Sequence, residues 1–126
     1  WKVNMRPGKP LTFGQYRGVP FIGLPGNPVS AFVTFEVFAR AAIQKIGGET
    51  PRPRTRTRVV LDEAVESDGR ESYLRAVVDP STGRARLTGH QGSGNLLSLV
   101  QANALLIFPA GVKSRPAGQE VDAWLL

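Results

Sequence analysis

Residues 19–30 read Val19-Pro20-Phe21-Ile22-Gly23-Leu24-Pro25-Gly26-Asn27-Pro28-Val29-Ser30. The first five form a short, mostly apolar run that suits a buried strand. Leu24 precedes a proline and is biased to extended geometry. Pro25-Gly26 is a turn signal. Asn27 is a good helix N-cap, and Pro28 fits the first helical position, where its missing N–H costs nothing. Apolar residues then recur at Val29, Phe32, Val33, Val37, Ala41 and Ile46, widened by Phe35, Phe38, Ala42 and Ile43. That spacing predicts one helix with a broad buried face, ending at Gly47-Gly48. Strand, turn and helix make half of an α/β unit. Residues 1–47 cannot bury both its faces, so the rest of the sheet is expected upstream, outside the chain.

Working outward, Gly48-Glu49-Thr50-Pro51-Arg52-Pro53 has linker composition. The pattern then turns β. Arg54 to Leu61 begins with strict alternation, and Glu71 to Val78 is a second strand. Asp79-Pro80-Ser81-Thr82-Gly83 is turn chemistry, with Arg84 to Thr88 returning as a hairpin. Ala104 to Phe108 and Val121 to Leu126 are further strands, and Asn95 to Ala102 suits a short helix. Several short strands separated by turns predict a small β-barrel or sandwich.

The chain has 126 residues, enough for one modest domain with its own core. Its 41% hydrophobic content is ordinary, and no stretch approaches the length needed to span a bilayer. The start, Trp1-Lys2-Val3-Asn4, lacks the ordered parts of a secretory signal. It also lacks an initiator methionine, so the chain reads as a fragment. Cysteine is absent, which excludes disulfides and thiolate metal sites; a cytoplasmic location is the default expectation. The net charge of +6 is compatible with nucleic acid, an anionic membrane surface or a small anionic ligand.

Three stretches could bind anions. The Pro25-Gly26-Asn27-Pro28 turn places backbone N–H groups and a helix N-terminus at a strand end; the plainer reading is a tight turn with a cap. Arg6-Pro7-Gly8-Lys9-Pro10 holds two cations in a stiffened loop, with Lys2 four residues earlier; the plainer reading is a solvated turn. Gly89-His90-Gln91-Gly92-Ser93-Gly94-Asn95 could wrap an anion in backbone N–H groups and add the Ser93 hydroxyl, or simply connect two elements. His90 is the only histidine and reads as structural. No residues lie at metal-ligand spacing, so no metal site is expected from this chain. Arginines 52, 54, 56 and 58 would share one side of a strand. They could touch nucleic acid but lack interleaved aromatics. The plainer reading is a charge-protected edge strand, partly neutralised by Asp62, Glu63 and Glu66.

Taken together, the loop from Lys2 to Pro10, Phe13-Gly14, the Gly23–Ser30 segment and Gly89-His90-Gln91-Gly92-Ser93 resemble the molybdopterin molybdenumtransferase family, in order and spacing, along nearly the whole chain. That family includes bacterial MoeA and the E domain of gephyrin. The resemblance implies that residues 1–48 end an α/β molybdopterin-binding domain. Residues 49–126 would be a C-terminal incomplete β-barrel of the β-clip type, making the chain mainly β with an N-terminal α/β remnant.

The implied reaction inserts molybdate into adenylylated molybdopterin and releases AMP. Mg2+ would support it, with acidic ligands upstream of this chain. Lys2, Arg6, Arg75 and Ser93 match the family's catalytic positions, with arginine at 6 where the family often has lysine. Pro25 and Pro28 match its substrate-loop prolines; Lys9, Gly26, Asn27, Gln91 and Gly92 are the neighbouring substrate-binding candidates. The partners implied are small molecules and a second subunit in a homodimer, with neither nucleic acid nor membrane; the fragment alone should be inactive. The alternative is a gephyrin-type scaffold module.

Overall fold

The computed structural model describes residues 2–126. The N-terminal part comprises β1 (Met5–Arg6), β2 (Thr12–Tyr16), β3 (Val19–Gly23) and a long helix. That helix runs as α1 (Pro28–Thr34), a π-helical turn (Phe35–Ala39) and α2 (Arg40–Ile46). Then come β4 (Arg56–Leu61), β5 (Val65–Glu66), β6 (Glu71–Asp79), β7 (Arg84–Leu87), α3 (Leu96–Val100), β8 (Ala104–Phe108), β9 (Ser114–Arg115) and β10 (Glu120–Leu125).

The mainly β architecture expected from the alternating segments is present. Strands run in the order β6-β7-β4-β10-β8, and β8 pairs back onto β6, which closes a five-stranded barrel. Alternation fixes what fills it. Leu74, Ala76 and Val78 of β6 and Leu106 and Phe108 of β8 join Val59, Leu61, Val121 and Ala123 in one buried cluster. The intervening residues Tyr73, Leu105, Ile107 and Trp124 point outward and meet Met5, Val29 and Val33 in a second cluster. The apolar stripe of the long helix therefore lies on the outside of the barrel. Because β8 is covered on both faces, Ala104-Leu-Leu-Ile-Phe108 is apolar throughout and buried at every position.

β6 also holds the N-terminal segment in place. At nine residues it is the longest strand, and β7 edges only its second half. The first half is free for β1, which pairs with it in parallel, Met5 opposite Glu71 and Arg6 opposite Ser72.

Two expectations are corrected. The run Val19–Gly23 forms a strand, but not a buried one. It pairs antiparallel with β2 around Arg17-Gly18, both at positive φ, as a two-residue hairpin turn needs. Phe13, Tyr16, Val19 and Phe21 of this hairpin are exposed. The arginine stripe is also broken up. β4 begins only at Arg56 and is an interior strand between β7 and β10, not an edge. Arg58 pairs with Glu120 and Asp122 across the neighbouring strand, rather than with Asp62, Glu63 or Glu66.

Arg54 leaves the strand direction and grips Glu36 with two hydrogen bonds, Nε to Oε2 at 2.7 Å and Nη2 to Oε1 at 2.9 Å. It also donates to the Leu125 carbonyl at 3.0 Å, tying helix, linker and barrel together. Glu36 is 7% exposed, and the Arg54 hydrogen bonds hold its carboxyl below the usual glutamate range. A depressed folded value means the pair's stabilisation is complete above the unfolded-chain pKa, about 4.3, and is lost as pH falls through the folded value. Glu36→Gln leaves Arg54 and Arg40 facing a neutral amide. Its expected cost at pH 7 is about 1–3 kcal/mol. Urea unfolding should show that deficit shrinking below pH 4; parallel stability curves for the two proteins would contradict the clamp.

Candidate anion-binding cleft

A cleft of about 570 Å3 opens where the N-terminal segment meets the barrel. Four separate stretches line it. Arg6, Pro7, Gly8, Lys9 and Pro10 form one side. Pro25, Gly26, Asn27 and Ser30 bring the start of α1, and Gln91, Gly92 and Ser93 bring the loop before α3. Arg70, just ahead of β6, supplies the fourth. Three cations face the space and no carboxylate is in its lining.

The geometry of each stretch has a local cause. The chain turns back on itself at Lys2 and Pro10, which bridge as an antiparallel pair, while Val3 N donates to Lys9 O at 2.8 Å. Gly8 has φ of +110°, and a Cβ there would stand 2.4 Å from Thr34 Cγ2. Only glycine lets this loop lie flat against the helix. Asn27 occupies the N-cap position with extended backbone, but it makes no side-chain cap. Its amide Nδ2 instead donates to Ser93 Oγ at 3.0 Å, joining helix start and barrel loop across the cleft. The first helical N–H groups are thus left without a side-chain acceptor at the cleft wall.

Arg75 lies beneath the loop rather than in the lining. It is wholly buried on the outer side of β6. Nη1 donates to Gln91 O at 3.2 Å, while Nη2 donates to Gly92 O at 2.9 Å and His90 O at 3.4 Å. Nε donates to Ser98 Oγ at 3.0 Å. The Gln91 carboxamide turns back to the Arg75 backbone, accepting from its N at 2.8 Å and donating to its O at 3.1 Å. With its carbonyls drawn inward, the loop does not present them to an anion. Arg75 has no carboxylate partner among the described residues. Burial, reinforced by the like charge of Arg6, pulls its guanidinium below the ordinary arginine range.

Eight of the eleven candidate residues line the cleft together: Arg6, Lys9, Pro25, Gly26, Asn27, Gln91, Gly92 and Ser93. Lys2, Pro28 and Arg75 do not. Lys2 is exposed on the loop's stem, Pro28 starts the helix behind Asn27, and Arg75 acts through the loop. Sequence reasoning missed Arg70 and Ser30. Ser30 follows the quoted turn directly. Arg70 stands in an unremarkable Asp68-Gly69-Arg70 turn, and only the pairing of β1 with β6 brings it here.

Known proteins share this arrangement of chain. Residues 58–126 match the family described as MoeA C-terminal region (domain IV). The molybdopterin molybdenumtransferase 2 of Mycobacterium tuberculosis H37Rv is 37% identical over 124 residues, spanning 98% of this chain and 31% of that protein. The molybdenum cofactor synthesis protein cinnamon of Drosophila melanogaster is 40% identical over 119 residues, 91% of this chain and 20% of that one. The crystal structure of the molybdopterin biosynthesis moeA protein from Pyrococcus horikoshii OT3 superposes with a TM-score of 0.76 at 30% identity, covering 98% of this chain and 31% of that chain. The chain thus spans about a third or less of these relatives' length.

Arg75→Lys keeps the charge but cannot supply the fan of N–H groups that three carbonyls and Ser98 use. The expected loss is about 2–4 kcal/mol, with faster amide hydrogen exchange confined at first to residues 89–95. Unchanged exchange in that loop would show that Arg75 does not organise it.

Proposed function

Because this chain belongs to the family of the MoeA C-terminal region (domain IV), we propose that it forms one wall of the site where a molybdopterin molybdenumtransferase inserts molybdate into adenylylated molybdopterin and releases AMP. The observation that carries this reading is the convergence of Arg6, Lys9 and Arg70 on a cleft whose lining has no acid. Both substrates are oxyanions that repel one another. A preorganised set of cations lowers that repulsion and holds the two in register.

Each group has a distinct task. Lys9 offers a compact charge on a loop pinned by Gly8 against α1. The Ser93 hydroxyl, held by Asn27, marks the far side of the cleft at hydrogen-bonding height. The uncapped start of α1 adds a partial positive charge. AMP departs as an anion, and the same cations stabilise the charge that grows on its phosphate. No nucleophile–base pair stands in the lining, so the wall works by position and field rather than through a covalent intermediate.

The residues present do not fit a magnesium ion. Among the described residues no group of three or more Asp, Glu, His or Cys could hold a metal, and the cleft is lined by cations. Acidic ligands would have to come from elsewhere in the protein, so the wall does not turn over alone. In this reading residues 1–48 end a molybdopterin-binding domain, residues 49–126 are the C-terminal β domain, and the enzyme works as a cytoplasmic homodimer.

In the intact protein, Lys9→Ala and Ser93→Ala should each weaken molybdate binding by about tenfold, the worth of one charge-assisted hydrogen bond. AMP release from adenylylated molybdopterin should slow by a similar factor or more. Calorimetric titration with molybdate and an AMP-release assay would check both. Unchanged affinity together with unchanged release in the two variants would overturn the assignment.

A further inference from the structure

The cleft's cations already have an anion, and it stands just outside the lining. Asp68 begins the turn before β6, where Gly69 has φ of +84°. Its two carboxylate oxygens do different things. Oδ1 accepts from the backbone N of Arg70 at 3.1 Å, which fixes the side chain's direction. Oδ2 receives Arg70 Nε at 3.0 Å and Nη2 closer still, and lies 3.5 Å from Nη1 of Arg6. The turn is itself anchored, with Ser67 N donating to Lys113 O and Gly111 N to Gly69 O, each at 2.8 Å. The remaining Nη1 of Arg70 donates to Met5 O at 3.4 Å.

Two consequences follow from this geometry. The Nε–Nη2 fork of Arg70 is the part of a guanidinium that grips an oxyanion through two parallel hydrogen bonds. Asp68 occupies it. An oxyanion entering the cleft must take those N–H groups from Asp68 or do without them, and it feels the carboxylate's repulsion through Arg6 as well. The groups are about a third exposed, with side-chain exposures of 41% for Arg6, 33% for Asp68 and 34% for Arg70. The contest is therefore between an exposed ion pair and a ligand, and such pairs are weak enough to be displaced.

Resting on the reading of the cleft as an oxyanion site, we propose that Asp68 is its resident counter-anion. It docks Arg6 and Arg70 at the cleft while the cleft is empty, competes with the incoming oxyanion for Arg70, and so loosens the hold on it. A site that must pass its oxyanion on gains from this, because tight uniform binding lowers KM without raising kcat.

The test uses the intact protein with molybdate, and inorganic phosphate as a second oxyanion. Asp68→Asn keeps the Oδ1 acceptor for the Arg70 N–H, so the turn survives while the charge goes. It should bind both anions about threefold to tenfold more tightly, the factor that one or two part-exposed ion pairs are worth. KM for molybdate should fall by a like factor while kcat does not rise. Asp68→Glu, which retains the charge, should restore weak binding. Adding Arg70→Gln to Asp68→Asn should cancel the gain. If wild type binds molybdate and Asp68→Asn, folded by circular dichroism, binds it equally or less well, Asp68 is only a turn residue and the inference falls alone. If neither protein binds either anion, the cleft reading falls with it.

Discussion

The buried guanidinium of Arg75 constrains everything around the cleft. A charge with no carboxylate partner can stay in the interior only if each of its nitrogens finds another acceptor. The Gly89–Ser93 loop folds down over it and gives up three carbonyls. Ser98 takes the fourth direction, and its own hydroxyl donates to Asn95 O at 2.6 Å, which sets the first turn of α3. The loop's shape is therefore dictated from beneath. Ser93 is where it is because Arg75 needs the carbonyls before it.

That loop then meets a segment held by different forces. β1 occupies the half of β6 that β7 leaves open, and the long helix covers the barrel's outer face through Val29 and Val33. Burial of two such side chains is worth about 3–6 kcal/mol, far more than the single Asn27–Ser93 hydrogen bond. Packing thus brings the walls together and the hydrogen bond sets their spacing. The Glu36–Arg54 pair, at the π-helical turn, fixes the helix along its length. A helix free to slide would carry Asn27 and Ser30 out of the cleft.

Residue periodicity made much of this fold legible. The helical stripe from Val29 to Ala39 and the alternation in residues 84–88 each have a covered side that the pattern reports, whereas the stripe's far end, Ile43 and Ile46, is exposed instead of buried. The continuous apolar run 104–108 marked a strand buried on two faces. What the pattern could not report were contacts between distant stretches. Asn27 has the right chemistry for a cap, yet Ser93 competes for its side chain. Arg54 alternates with Arg56 and Arg58 in sequence, yet Glu36 outbids the strand for it. Arg17-Gly18 lacks the Asn or Asp that marks a two-residue hairpin turn, so the pairing of residues 12–16 with 19–23 was not legible. Arg6, Lys9 and Ser93 were legible as cations and a hydroxyl in glycine-rich loops. Arg70 was not, because an arginine after Asp-Gly in a turn looks like any solvated charge until β1 pairs beside it.

Collecting these cations has an energetic consequence of its own. Arg6, Lys9, Arg70 and the buried Arg75 share one region, and the like charge of Arg6 already weighs on Arg75. Repulsion of this kind opposes the fold until something negative enters. Asp68 supplies one charge against four, and it reaches only two of the cations. The empty cleft is consequently under-neutralised, and any oxyanion that fills it stabilises the arrangement that binds it. Binding and local stability are then two views of one charge balance. A carboxylate within the lining itself, where none stands, would relieve that repulsion and, in the proposed reading of the cleft, weaken its hold on an oxyanion.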